Sequence, residues 1–198
     1  PAAAKQEHAD NLFLAELFIQ AKLENVSMRW GGRGRNGFRT AKRRAIQSVI
    51  ITGEALEQMC DDYRIRTFRR SQYVTKRDGR CDVLYHCIQE TIDPLSLHAK
   101  QIEKSGLKID DLKDKHCAER MADIFTYVQW EPQARTWTTK QELNGQMIGA
   151  MKREDGEWQE EVEDAVSAFI STPLELVTGQ NYGRGLVEML YGDLAAVD

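Results

Sequence analysis

No run in this sequence is apolar for long enough to cross a bilayer: the richest stretch, Leu12–Val26, is interrupted by Glu16, Gln20, Lys22 and Glu24. The first residues, Pro-Ala-Ala-Ala-Lys-Gln-Glu, lack a basic stretch leading into an apolar one, as a cleavable secretion signal would need. The expectation is an intracellular or intravirion protein, not secreted and without a transmembrane segment. Cysteine is sparse too. Cys60, Cys81, Cys87 and Cys117 are too few and too irregularly spaced for a disulfide scaffold in a chain of 198 residues, so reduced thiols are expected.

Catalytic signatures are missing as well. There is no Gly-x-Ser-x-Gly, no His-Glu-x-x-His, no Walker lysine and no Rossmann glycine set, which argues against an enzyme and against a bound cofactor. Cys81, His86, Cys87, His116 and Cys117 could together supply zinc ligands, as a nuclease or zinc hydrolase would use them. Their spacing fits none of the short zinc signatures, and buried thiols are the simpler expectation, so no metal is assigned. Internal repeats and long low-complexity tracts are also absent.

One absence is local and more telling. Arg29–Arg44 contains seven Lys and Arg and no acid, and Arg64–Arg80 contains seven more against the single Asp78. Residues 1–80 hold 16 basic and 9 acidic side chains, while residues 81–198 hold 11 and 22. The formal net charge of −4 therefore conceals two halves of opposite sign. Such asymmetry points to nucleic acid, an anionic membrane surface or electrostatic self-association.

Local patterns suggest how the cations are presented. Residues 10–26 read as a helix that is apolar nearly all round, belonging to the core or to a subunit contact. Arg29-Trp30-Gly31-Gly32-Arg33-Gly34-Arg35-Asn36-Gly37 reads as a loop whose backbone N–H groups and arginines suit an anion. Arg39–Ile51 reads as a helix with basic first turns, an arrangement that opposes the macrodipole unless an anion is bound. A second helix is expected from Thr52 to Tyr63. Tyr73–Tyr85, with β-branched and aromatic residues flanking Asp78-Gly79, reads as a β-hairpin tipped by Lys76, Arg77 and Arg80.

Beyond Asp93-Pro94 the pattern predicts helices only: to Ser105-Gly106, then Asp110 to about Trp130, Thr139 to about Arg153 behind a capping-box signature, Glu157–Ile170 with an acidic side, Thr172–Gly179 and Gly185–Ala196. The expected fold is mainly α, an α+β chain with one basic hairpin in a bundle-like architecture. Two subdomains are expected, a basic one over 1–92 and an acidic all-helical one over 93–198.

The function this suggests is a structural, self-associating protein whose basic half binds RNA or an anionic membrane, with a charge plan like that of a viral matrix or nucleocapsid layer. RNA is favoured over DNA, and a homo-oligomer built on basic-to-acidic contacts is expected. The candidate contacts are Arg29, Arg33, Arg35, Arg39, Lys42, Arg43, Arg44, Arg66, Arg69, Arg70, Lys76, Arg77 and Arg80. The alternative is a winged-helix-type DNA-binding protein with an acidic dimerisation or partner domain. Its recognition helix would be Gly53–Tyr63, whose four acids phosphate would repel.

Overall fold

The computed structural model describes residues 38–60, 65–114, 116–152 and 157–195. The expected helix over 10–26 and the Gly-Arg loop lie outside them. Among the described residues 41% are strand and 25% helix, so the mainly α expectation is corrected to a mainly β fold with antiparallel sheets and only four short helices.

Helix α1 (Phe38–Thr52) leads into β1 (Glu54–Met59), and β2 (Ile65–Phe68) precedes a short 3-10 turn, Arg70–Gln72. The hairpin β3 (Tyr73–Arg77) and β4 (Val83–Ile92) follows, then α2 (Ala99–Lys104), α3 (Ile109–Lys113), β5 (Ala122–Glu131) and β6 (Thr136–Leu143). Short strands β7 (Gln146–Met147), β8 (Ala150–Met151), β9 (Trp158–Gln159) and β10 (Val162–Asp164) precede β11 (Phe169–Pro173) and α4 (Leu186–Ala195).

The strands form a small sheet, β11-β1-β2, and a larger one, β10-β6-β5-β4-β3, with β7 paired to β6 and a separate β8–β9 ribbon. The two sheets pack through Leu56, Phe68 and Phe169 on one side and Tyr73, Ile88 and Val128 on the other. A second apolar cluster, Ile124, Leu143 and Ile148, fills the far end of the larger sheet under Leu97 and Leu107. Both sheets draw strands from either side of Thr91–Pro94, since β1 pairs with β11 and β4 with β5.

Strand β1 carries the main correction. Glu-Ala-Leu-Glu-Gln-Met is a run of good helix formers, yet it is extended and its first four residues are buried, on both faces. Alternation aims Glu54 and Leu56 between the sheets and Ala55 and Glu57 under α1, whose Ala41 and Ala45 pack there. Gly53, at φ +84°, ends α1. A Cβ there would lie 2.1 Å from the Gly183 carbonyl oxygen, so the glycine also admits the strand that leads into α4.

The expected helices after Asp110 are mostly strands. Asp110–Trp130 becomes α3 followed by β5, Thr139–Arg153 falls on β6, β7 and β8, Glu157–Ile170 on β9, β10 and the start of β11, and Thr172–Gly179 on the end of β11 and a turn. Four elements stand as expected: α1, the β3–β4 hairpin, the helical stretch that Gly106 closes at φ +72°, and α4. No helix among the described residues is long and apolar enough to cross a membrane.

Candidate anion-binding groove

The buried acids of β1 decide what becomes of the nearest cations. Glu54 is fully buried, and Arg77, only 5% exposed, reaches its Oε1 from β3 at 2.8 Å. The same guanidinium donates to Ser171 Oγ at 2.5 Å, to the Cys81 carbonyl at 3.0 Å and to the Asn181 carbonyl at 3.2 Å. Ser171 in turn donates to Glu54. All three nitrogens of Arg77 are therefore engaged in the seam between the sheets, with four of its five N–H groups accounted for.

Lys42 and Arg66 are engaged in a similar way. Lys42 descends from α1 to Glu57 Oε2 at 2.7 Å. Arg66 pairs with Glu90 across the sheets, touches Gln58 Oε1 at 3.1 Å and lies 5.2 Å from the centre of the Phe68 ring. Arg70 stacks on Tyr182 at 3.4 Å and donates to the Tyr73 carbonyl at 3.1 Å, a cation–π arrangement that fixes its plane.

Two of the predicted arginines meet elsewhere. Arg44, on α1, and Arg69, just after β2, line one groove of about 370 Å³ together with Gln47, Ser48, Thr67 and Gln72, over a floor that includes Phe68. Among the described residues that line it there is no carboxylate. The Gln72 side-chain oxygen already accepts from the Arg69 backbone N–H at 2.9 Å, which leaves its NH₂ as the group to donate outward. Thr67 donates to the Ala41 carbonyl at 3.2 Å and Ser48 to the Glu54 carbonyl at 3.0 Å, so both hydroxyls are fixed in place. Arg43 is exposed one residue away on α1. The sequence marked the arginines but not the four neutral residues, whose only signal is their position on α1, on β2 and in the 3-10 turn.

Lys76 and Arg80 stand apart. Both are exposed near the tip of the β3–β4 hairpin, a strand's length of about 16 Å from the Arg69 end of β3. Asp78 organises that tip, its Oδ1 accepting from the N–H groups of Arg80 at 2.8 Å and Asp82 at 2.9 Å. Cys81 there takes φ +71°. Arg39 begins α1, and Arg29, Arg33 and Arg35 lie outside the described residues. The basic belt of the sequence thus separates into seam, groove and hairpin tip.

The remaining polar groups give no convergent chemistry. His86 is buried with Nδ1 3.0 Å from Thr75 Oγ1, and burial, reinforced by the charge of Arg77, pushes its pKa from 6.5 down to about 4. Burial first, and then Glu54, holds the Tyr73 hydroxyl well above its ordinary value. Cys87 follows His86 on β4 and so faces the opposite side of the sheet, which prevents the two from sharing a metal. Among the described residues no group of three or more His, Cys, Asp or Glu stands together. A polar cavity of about 550 Å³ lies against the larger sheet, but its amides satisfy one another: Gln101 donates to Gln141 at 2.9 Å and Gln141 to Thr126 at 3.2 Å.

The acids expected on one helical face are instead distributed around β9 and β10, where Glu160 pairs with Lys104 and Glu161 with Lys140 at 3.0 Å. Glu163 is exposed beside them, and the neighbouring Val166 is also exposed. At the opposite surface, Ile46, Ile50 and Ile51 of α1 and Leu186, Val187, Met189, Leu190 and Tyr191 of α4 are exposed together with their polar neighbours. No family model matches the chain, and no curated protein matches it.

Proposed function

We propose that this chain is a structural, self-associating protein whose basic half binds RNA or an anionic surface, in the manner of a matrix or nucleocapsid layer. The observation that supports it best is the composition of α1. One flank of that helix lines the groove that holds Arg44 and Arg69, while α1 and α4 together present eight large apolar side chains to solvent. Apolar patches of this extent mark protein contacts, and a ten-residue helix such as α4 has little stability of its own.

Charge supplies a partner for that surface. Arg43 and Arg44 border the α1 side chains, and Glu161 and Glu163 border Val166 on the β10 side, so a second copy offers both an apolar and an electrostatic complement. The winged-helix alternative is not carried forward, because the segment it needs as a recognition helix is strand β1, buried on both faces.

Sedimentation velocity of the full chain over a range of concentration and salt tests the proposal. Concentration-dependent assembly is expected, reduced at least roughly tenfold in association constant by Ile46→Asp with Leu190→Asp, which places charge in a desolvated contact. A chain that stays monomeric at high concentration and low salt overturns it.

A further inference from the structure

We infer that a notch between the β3–β4 and β5–β6 hairpins receives an arginine of the Gly-Arg segment, residues 29–37, of a second copy of this chain. The inference rests on the self-association proposed above and gives it a defined contact. The notch has a volume of about 510 Å³, and its lining includes Asp78, Asp82, Leu84, Trp130, Pro132 and Trp137. Strand register sets its two indoles side by side: Trp130 of β5 pairs with Trp137 of β6, and their ring centres lie 5.5 Å apart at an interplanar angle of 53°. Trp137 also packs against the core cluster around Val128, which anchors the pair.

These groups suit a guanidinium. A planar cation stacks on the electron-rich face of an indole while the N–H groups at its edge meet carboxylates. Other aromatic faces of this fold are already covered in that way: Arg70 lies over Tyr182 at 3.4 Å, and Lys104 and Lys100 approach the Trp158 ring at 4.8 and 5.5 Å. Among the described residues no cation stands over Trp130 or Trp137, and no Lys or Arg lines the notch. The Trp158 indole N–H donates to the Ile148 carbonyl at 2.8 Å, whereas those of Trp130 and Trp137 meet no acceptor among the described residues. They can donate to the carbonyls of an extended peptide.

Charge complementarity selects the occupant. Two aspartates repel phosphate and attract a cation, and residues 29–37 carry Arg29, Arg33 and Arg35 with no acid among them. Gly31, Gly32, Gly34 and Gly37 let the backbone of that segment approach a flat aromatic wall closely. The other cation runs belong to α1, β2 and β3, whose backbones are committed to the helix and the sheets. A notch and a segment on different parts of one chain make a heterologous contact, the kind that propagates into rings or layers.

The test uses the full chain carrying Arg29→Gln, Arg33→Gln and Arg35→Gln, so that its own segment does not compete, and reads the fluorescence anisotropy of a labelled peptide of residues 29–37. Saturable binding that weakens with salt is expected. Trp130→Leu, which keeps apolar bulk, and Asp82→Asn, which replaces an exposed carboxylate, should each reduce affinity roughly threefold, and together about tenfold. Asp82→Asn should leave the thermal midpoint unchanged, which separates lost binding from lost folding. The peptide carrying Arg29→Lys, Arg33→Lys and Arg35→Lys should bind more weakly, since an ammonium stacks less well than a guanidinium. In sedimentation velocity, a mixture of the triple glutamine chain with the Trp130→Leu, Asp82→Asn chain should associate more than either alone, because one supplies the notch and the other the segment.

Four results would overturn the inference. Peptide affinity indifferent to both Trp130→Leu and Asp82→Asn removes the notch, and salt-dependent assembly of the parent chain would then leave the broader proposal standing. Peptide binding without added association in the mixture seats the segment in its own copy. Single-stranded RNA that loses as much affinity as the peptide in Trp130→Leu makes the notch a base-stacking site. A parent chain that stays monomeric at every concentration ends both the contact and the self-association it serves.

Discussion

Arg77 and Arg69 lie eight positions apart, and the sequence gives no reason to treat them differently, yet they sit in opposite physical circumstances. The seam around Arg77 is dry and built from acid, base and hydroxyl: Glu54 fully buried, Ser171 bridging, Asn181 and Cys81 accepting. The groove around Arg44 and Arg69 is open and, among the described residues, lined by neutral polar side chains beside the two arginines. In the seam, charge is a means of joining two sheets. At the groove the two arginines stand on α1 and just after β2, at the surface. The difference is set by where β1 places its glutamates, not by how many arginines surround them.

The largest expected effect breaks the seam. Arg77→Ala leaves the Glu54 side chain buried without its ion-pair partner, with one of its oxygens already lacking a hydrogen bond, and is expected to cost about 3–5 kcal/mol, enough to unfold a marginal domain. Replacing both members, Glu54→Leu with Arg77→Met, should recover most of that loss, since apolar groups of similar volume need no partner. Urea denaturation of the three proteins decides it. If Arg77→Ala were as stable as the parent, the seam would be no different from the surface.

A smaller effect comes from the same interior. Burial, with the nearby charge of Arg77, holds His86 neutral until about pH 4, whereas in the unfolded chain it takes up a proton near 6.5. Between those values the unfolded state binds more protons, so stability is complete above the higher pH and falls as the pH drops towards the lower one, by roughly 3 kcal/mol. Denaturation midpoints at neutral and mildly acidic pH should diverge in the parent and converge in His86→Leu. The groove contains no such group, so substitutions there should leave the pH profile unchanged.

How much of this was legible beforehand follows from which signals were unambiguous. Asp-Gly between β-branched runs identified the hairpin, and Ala41, Ala45, Ile46, Val49 and Ile50 identified α1, because steps of three and four with adjacent pairs fit a helix and not strand alternation. Ile124 and Val128 did not: residues four apart share a face in a helix and also in a strand, and here they lie on the inner face of β5. Trp158 and Val162 misled in the same way. In β1 the propensity pointed to helix and burial on both faces overrode it. The site was half legible. Arginine content marked it, but separating Arg44 and Arg69 from Arg77 and Lys42 requires knowing that β1 is a strand, since only then do Glu54 and Glu57 point in opposite directions.

Glu90 lies between the two regions and gives the smallest and sharpest contrast. It pairs with Arg66, whose side chain is 45% exposed, and both line a cavity that also contains Arg44, Thr67 and Gln72 from the groove. With Arg66 half exposed and Glu90 19% exposed, the pair contributes modestly, so Glu90→Gln should cost about 1 kcal/mol, well below the cost of disrupting Arg77. The same substitution removes the carboxylate beside Arg66 and should raise RNA affinity at low salt about twofold, the size of one charge–charge interaction of about 0.5 kcal/mol through water. High salt should erase that gain, because the interaction is screened. A large stability loss would place Glu90 with the seam. A rise in affinity that salt removes would separate its electrostatic effect on anion binding from any part in holding the sheets together.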